Sequence, residues 1–251
     1  MGYSEYDILT RTDRGTPAGE LLRRYWQPVA LSDEVSPGGA PVPVRLLGEE
    51  LVLFRDEAGR PGLLGLHCSH RGADLSYGRL EDGGLRCIYH GWLYDIHGNC
   101  LEQPGEPAGS TFHQRIHHPA YPCVERSGAI FGYLGPGEPP LFPNYEFLTV
   151  PEGQVASSKL FHDCNYLQGN EGNIDLVHLS FLHHNRYGDS GGPEGPWERI
   201  SARGVAPGQE KVEAELTDYG LKVCKIRQMG ADQHLYHCTY IVPSGISRRP
   251  R

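Results

Sequence analysis

The chain is 251 residues long, 38% hydrophobic and 22% charged, with a formal net charge of -8 at pH 7; that length supports one large domain or two of ordinary size around a real core. The acidic balance, with no stripe of Lys and Arg, argues against a nucleic-acid partner. No apolar run approaches the ~20 residues of a membrane span, and Met1-Gly-Tyr-Ser-Glu-Tyr6 opens neither a signal peptide nor, lacking Ser or Thr at position 6, a myristoylation site.

Thr16-Pro17 reads as a helix start with Pro at the first helical position, and Leu21, Leu22 and Tyr25 give that helix a short apolar face. Pro37-Gly-Gly-Ala-Pro41 reads as a linker. Strand-like runs follow at residues 42–47, 51–54, 63–66 and 129–134, with Gly-rich turns between them, and Gly135-Pro-Gly-Glu-Pro-Pro140 closes the region. Beyond it, residues 163–184 carry a helical pattern. Residues 211–216 and 221–226 are strand-like, the first alternating as a half-buried strand does. With 33 Gly and 20 Pro, the predicted class is α+β, rich in strands and loops. The expected division is an N-terminal helical segment (1–37), a small β domain (38–145) and a second domain (146–251). Seven cysteines are an odd number, and Cys100, Cys123, Cys164, Cys224 and Cys238 form no disulfide framework, so a reducing cytoplasm is the natural setting.

The chemistry concentrates in two places. Cys68-Ser-His70 and Cys87-Ile-Tyr-His90 each offer one thiolate and one imidazole from a glycine-closed loop, His67-Cys-Ser-His-Arg-Gly72 and Cys87-Ile-Tyr-His-Gly-Trp92. A Rieske-type [2Fe–2S] cluster takes two Cys on one iron and two His on the other, and backbone N–H groups near its sulfurs tune it. A structural zinc site also accepts two Cys and two His. It usually draws them in C-x(2–4)-C and H-x(3–5)-H pairs, each ligand type with its own kind, whereas each loop here donates one of each. The second constellation is Glu171, Asp175 and His178, at i, i+4 and i+7 and so on one face of a predicted helix. His183 lies off that face, and meeting the same metal requires a wide turn or a helix end. Two imidazoles with a carboxylate make the triad of non-haem Fe(II) oxygen chemistry. An ordinary polar helix face with satisfied histidines is the plain alternative. Gly188-Asp-Ser-Gly-Gly-Pro193 matches a serine-protease nucleophile signature, with Leu66-His67-Cys68 upstream as a faint echo of the base segment. A surface loop uses the same residues, and His67 adjoins a proposed ligand.

With both motifs in hand, and with residues 9–12 and 15–26 in front of them, the chain resembles the oxygenase (α) component of Rieske non-haem iron ring-hydroxylating oxygenases, in the branch like phthalate dioxygenase. The resemblance implies a β-rich Rieske domain and a helix-grip catalytic domain of antiparallel sheet and helices, with residues 1–37 packed on the latter. It implies that Cys68, His70, Cys87 and His90 hold the cluster and that His178 and His183 hold a mononuclear Fe(II). Asp175 would bond His178 and a cluster histidine of a neighbouring subunit, carrying electrons across the boundary. Implied partners are a reductase or ferredoxin donor, O₂, an aromatic substrate and further copies of the chain in a trimer-type homo-oligomer. Relatives continue past residue 251 with more strands, a long helix and the carboxylate that completes the iron triad. The expectation is therefore a C-terminally truncated chain or short paralogue, with activity in doubt. Asp218 and Asp232 read as turn residues rather than the missing ligand. Arg203 and Arg227 could hold a substrate carboxylate through their guanidinium forks, though a solvated surface role is the commoner use. An electron carrier or remnant with a cluster alone, and a structural zinc protein, remain the alternative functions.

Overall fold

Local sequence sets the N-terminal helices of the computed structural model, which describes residues 4–145, 148–149, 151, 153–182, 210–243 and 245–250. Ser4 and Asp7 form a reciprocal capping box at α1 (Glu5–Thr10), a helix the sequence patterns above do not anticipate. The Thr16 hydroxyl accepts from the Gly19 N–H at α2 (Pro17–Leu22), where Pro takes the first position as expected. Both helices are short, and α2 is held by tertiary packing through its buried Ala18, Gly19 and Leu22. Arg23, 2% exposed, reaches the Thr12 carbonyl at 2.8 Å, the Leu47 carbonyl at 2.7 Å and Glu49 at 3.0 Å.

The strands follow as β1 (Gln27–Leu31), β2 (Val42–Leu46), β3 (Glu49–Arg55), β4 (Pro61–Gly65), β5 (Arg79–Glu81), β6 (Gly84–Arg86), β7 (Leu93–Tyr94), β8 (Cys100–Glu102), β9 (Ala120–Tyr121), β10 (Cys123–Arg126) and β11 (Ala129–Gly132). They form three antiparallel sheets ordered β1-β11-β10, β2-β3-β4-β9 and β5-β6-β7-β8. Three hairpins turn through residue pairs with both φ angles positive, Leu47-Gly48, Asp82-Gly83 and Ser127-Gly128. Such two-residue turns match the strand twist and fix the register of the flanking strands. One core packs Leu51, Leu53, Leu63 and Ile130. The other packs Val52, Phe54, Leu64, Leu75, Leu85 and Tyr94, and includes Cys68 and Cys87. The cluster loops are therefore rooted in apolar packing, not hung from a flexible tip.

The second region holds α3 (Tyr166–Ile174), a single 3₁₀ turn (His178–Ser180), and the sheet β12 (Glu210–Thr217), β13 (Gly220–Met229), β14 (Asp232–Ile241) and β15 (Gly245–Pro250), antiparallel in chain order. Its small core is Leu176, Val223 and Cys238, with Ile174, Leu179, Leu221 and Tyr236 against it. The mixture of β-rich sheets and short segregated helices is the α+β class predicted. The expected half-burial of β12 is not found: as an edge strand it exposes residues 211–216 in a row.

The chain divides into two compact units, Met1–Phe161 and His162–Arg251, where the sequence placed breaks after residues 37 and 145. The N-terminal segment is part of the first unit, because β1 pairs with β11 and Arg23 is locked to Glu49. Residues 146–161 fall in it as well, with the Ser157 hydroxyl donating to the Ser127 carbonyl and Lys159 paired with Glu34.

Candidate metal centres

The two loops predicted to hold a cluster are closed in the same way. The Gly72 N–H donates to the Cys68 carbonyl at 2.8 Å and the Gly91 N–H to the Cys87 carbonyl at 3.0 Å. Both glycines stand at positive φ, 67° and 73°, which a side chain would strain. Each cysteine N–H is also tied down, to Ala73 O and Trp92 O respectively, both at 2.9 Å. Below the second loop, Arg86 donates to the Gly91 carbonyl at 2.9 Å and pairs with Glu81, Asp82 and Glu102.

The four predicted ligands fall into two close pairs, the cysteines and the histidines. Cys68 and Cys87 are 3% and 2% exposed, and their thiols lie within interaction range of each other. Burial pushes the Cys68 thiol up, an effect the Tyr94 hydroxyl at 3.3 Å opposes. A buried thiol raised in this way stays protonated until a metal replaces the proton. The His70 and His90 rings are 4.6 Å apart, and His70 stacks flat on Trp92 at 4.6 Å and 7°. Burial, and His90 after it, pull the His70 imidazole below its ordinary value. The Nδ1 atom of His70 is buried with no hydrogen-bond partner, a costly state for an imidazole nitrogen unless it binds something else.

These residues fit a [2Fe–2S] group. Two adjacent thiols suit one iron and two adjacent imidazoles the other, with the orphaned Nδ1 as a ready ligand atom. They fit a single zinc ion poorly: among the described residues no three Cys, His, Asp or Glu side chains are gathered for one ion, whereas tetrahedral zinc requires convergence.

Two further side chains frame the cluster loops, and no local pattern announces them. Tyr94, from β7, is fully buried and packs its ring on His118 at 4.7 Å. Burial and the Cys68 contact push its phenol far up, so it keeps its proton. His118 bonds Ser69 between the first pair of ligands, Nδ1 to Oγ at 2.7 Å.

The second constellation is built differently from the single helical face predicted. The Asn165 side chain caps α3 by accepting from the Leu167 and Gln168 N–H groups. The helix ends at Ile174, before Asp175, which is extended at φ -66° and ψ 117°. Glu171, Asp175 and His178 therefore do not share one continuous helix. The Asp175 carboxylate instead folds the next residues into a turn, accepting from the Val177 N–H at 2.8 Å. Its other oxygen lies 3.2 Å from His178 Nδ1, so the predicted pair meets through the turn. The Val177 N–H, and then His178, hold the Asp175 carboxyl below its ordinary value. Leu176, 2% exposed between the two, anchors the turn in the second core.

His183, His184, Ser190 and Arg203 lie outside the described residues. Asp218 sits in the β12–β13 turn and Asp232 opens β14, as their turn chemistry suggests. Arg227 is 3% exposed, not a surface residue, with its Nε 3.8 Å from Glu210, which also lies 3.6 Å from the buried Lys225.

Residues 25–122 match the model of the Rieske [2Fe-2S] domain. The phenoxybenzoate dioxygenase subunit alpha of Ectopseudomonas oleovorans is 46% identical over 190 residues, which cover 70% of this chain and 46% of that protein. The phthalate 4,5-dioxygenase oxygenase subunit of Pseudomonas putida is 38% identical over 231 residues, 88% of this chain and 51% of that protein. A crystal structure of dicamba monooxygenase bound to 3,6-dichlorosalicylic acid superposes with a TM-score of 0.69 at 22% identity, covering 91% of this chain and 67% of that one, and shares the fold. The chain carries a Rieske [2Fe–2S] domain and, over the aligned residues, is similar to the oxygenase subunits of Rieske oxygenases. It spans about half the length of the curated relatives just described.

Proposed function

We propose that this chain serves as the oxygenase component of a Rieske non-haem iron system, acting on an aromatic substrate by O₂-dependent hydroxylation or O-demethylation. The observation that carries the reading is the buried, unpartnered Nδ1 of His70 beside a second imidazole, with the two loop cysteines buried as a neighbouring pair. In this reading Cys68, Cys87, His70 and His90 hold the cluster, while His178 and His183 hold the mononuclear iron. When bound, the cluster supplies single electrons and the iron the oxygen chemistry. The chain's own part is to keep the Cys68 and Cys87 thiols dry, to present His70 Nδ1 toward the ligand position, and to orient His178 through the Asp175 carboxylate. A carboxylate on Nδ1 fixes which nitrogen carries the proton and leaves Nε2 as the ligating atom.

A reductase or ferredoxin as donor, a trimer-type homo-oligomer with Asp175 at a subunit boundary, and a cytoplasmic setting complete the proposal. Among the described residues no helix is long and apolar enough to cross a membrane. Relatives named for phenoxybenzoate, phthalate and 5,5'-dehydrodivanillate support an aromatic substrate, although another relative is named for tert-butanol. The competing reading, a Rieske electron carrier or remnant without oxygenase activity, keeps the cluster and leaves residues 163–184 without metal.

Metal analysis and EPR on anaerobically purified protein separate these readings. The oxygenase reading expects two cluster irons with two acid-labile sulfides, the low average g-value signal of a His-ligated cluster on reduction, and one further iron per chain. Cluster iron alone favours the carrier, and a colourless protein with one zinc defeats both.

A further inference from the structure

The His118 side chain is 1% exposed and both its ring nitrogens are engaged. Nε2 lies 2.8 Å from the Gly65 carbonyl and Nδ1 2.7 Å from Ser69 Oγ. A carbonyl oxygen only accepts, so the ring proton sits on Nε2 and the Nδ1 lone pair takes the Ser69 hydroxyl proton. The geometry thus selects one neutral tautomer without reference to any other group.

The backbone around His118 is fixed as firmly as the ring. Its N–H donates to the Gly98 carbonyl at 2.7 Å, and the next residue, Pro119, accepts from the Gly65 N–H at 2.8 Å. Gly98 stands at φ +82°, and a Cβ there would fall 2.1 Å from the His118 carbonyl oxygen, so this turn demands glycine. The imidazole is therefore a rigid strut tied at Gly65 and Gly98. It reaches the first cluster loop by two routes: directly at the Ser69 hydroxyl, between Cys68 and His70, and indirectly through the Tyr94 ring of β7, whose hydroxyl is 3.3 Å from Cys68 Sγ.

We propose that His118 is a positioning residue for the cluster, holding the Cys68-Ser69-His70 loop through Ser69 and the Tyr94 hydroxyl against Cys68 through ring packing. The inference rests on the reading that Cys68 and His70 are cluster ligands. A ligating cysteine is a thiolate, so its hydrogen bond with Tyr94 must run from the phenol O–H to sulfur. Hydrogen bonds to cluster sulfurs stabilise the more negative, reduced state and raise the potential. A group that keeps the Tyr94 O–H on the sulfur therefore sets the potential without touching the cluster.

The test is a redox titration of the holoprotein followed by EPR, for wild type, Tyr94→Phe, His118→Ala, His118→Gln, Ser69→Ala and the double variant Tyr94→Phe/His118→Ala. Tyr94→Phe is expected to lower the midpoint potential by removing the donor. His118→Ala should shift it in the same direction and broaden the EPR features as the loop samples more geometries. His118→Gln, whose amide can donate to Gly65 and accept from Ser69, should recover part of both. With Tyr94 already Phe, adding His118→Ala should move the potential much less than it does alone, because the route through the phenol is gone. An unchanged potential and line shape in cluster-loaded His118→Ala, a rise in its potential, or shifts that add in full would overturn the proposal. If His118→Ala does not fold, Ser69→Ala decides through its EPR line shape: broadening supports the strut and an unchanged spectrum refutes it. Wild-type protein with no cluster refutes the Rieske reading itself, a result distinct from an intact cluster indifferent to His118.

Discussion

The cluster loops and the segment after α3 both offer imidazoles, but they hold them by different means. Cys68 and Cys87 belong to an apolar core, their N–H groups are bonded at 2.9 Å, and a glycine closes each loop. His178 stands on a single 3₁₀ turn, its side chain 26% exposed, beside an Asp175 side chain that is 48% exposed. The first centre is held by the packing of several strands and so is set before any metal arrives. The second is shaped by one turn, the Asp175 carboxylate and the small core around Leu176, with its remaining predicted imidazole, His183, outside the described residues. Groups anchored to a core should tolerate neighbouring changes and fail only when a ligand is lost. Groups on a local turn should respond to each contact that shapes the turn.

The largest expected effects fall on the residues proposed as ligands. Cys87→Ala should remove the visible cluster absorbance and all acid-labile sulfide, because the cluster loses one of only two thiolates. His178→Ala should leave that absorbance unchanged and remove only the mononuclear iron, since the two centres as proposed share no ligand. Iron and sulfide analysis of the two variants tests the separation. A cluster lost with His178→Ala would mean that the centres depend on each other for folding.

A smaller effect is expected beneath the second cluster loop. Arg86 is 9% exposed as a side chain, whereas its partners Glu81, Asp82 and Glu102 are 36%, 68% and 52% exposed. The acids can turn to water when the guanidinium is removed, so the full cost of breaking a buried ion pair does not apply. What is lost is the bond to the Gly91 carbonyl, since Met keeps most of the buried stem. Arg86→Met is therefore expected to destabilise the first unit by roughly 1–3 kcal/mol, the range for a buried acceptor left unpaired. Denaturant unfolding followed by cluster absorbance measures it, and an unchanged midpoint would show that the loop is held by packing alone.

Much of the first centre was legible in the chain because its determinants are local. Four proposed ligands of two types at fixed offsets, each pair followed by a glycine, describe both the chemistry and the turn that presents it. The strands at 42–47, 51–54, 63–66 and 129–134 were legible for the same reason, since alternation and Gly-rich turns act within a few residues. Tyr94 and His118 were not, because their contact depends on residues 117–118 joining the 98–99 turn from a distant part of the chain. The helix break at Asp175 was misread: an i, i+4, i+7 pattern fits a helix, but the Asp175 side chain competes for the Val177 N–H and ends it. The division after Phe161 was also hidden, since Gly135-Pro-Gly-Glu-Pro-Pro140 looks like a linker while the residues beyond it still pack on the β10–β11 hairpin through Ser157 and Ser127.

The smallest expected effect concerns that turn and fixes its sign with pH. Asp175 is held below its ordinary value of 3.8 first by the Val177 N–H and then by His178. A carboxyl with a depressed folded value contributes its stability above the unfolded value, and that contribution fades as pH falls through the folded one. The turn should therefore keep its geometry from neutral pH down to about pH 4, the ordinary aspartate range, and loosen only below it. Because the carboxyl is half exposed, water screens the interaction and global unfolding should barely register the change. A local probe is needed, and the Val177 amide, 2.8 Å from Asp175 Oδ1, provides one. Its NMR shift should titrate with a midpoint under 3.8, and Asp175→Asn, which keeps an acceptor oxygen but no charge, should abolish the transition. A midpoint at or above the ordinary value would mean that the carboxylate does not hold the turn, and that His178 is oriented by something else.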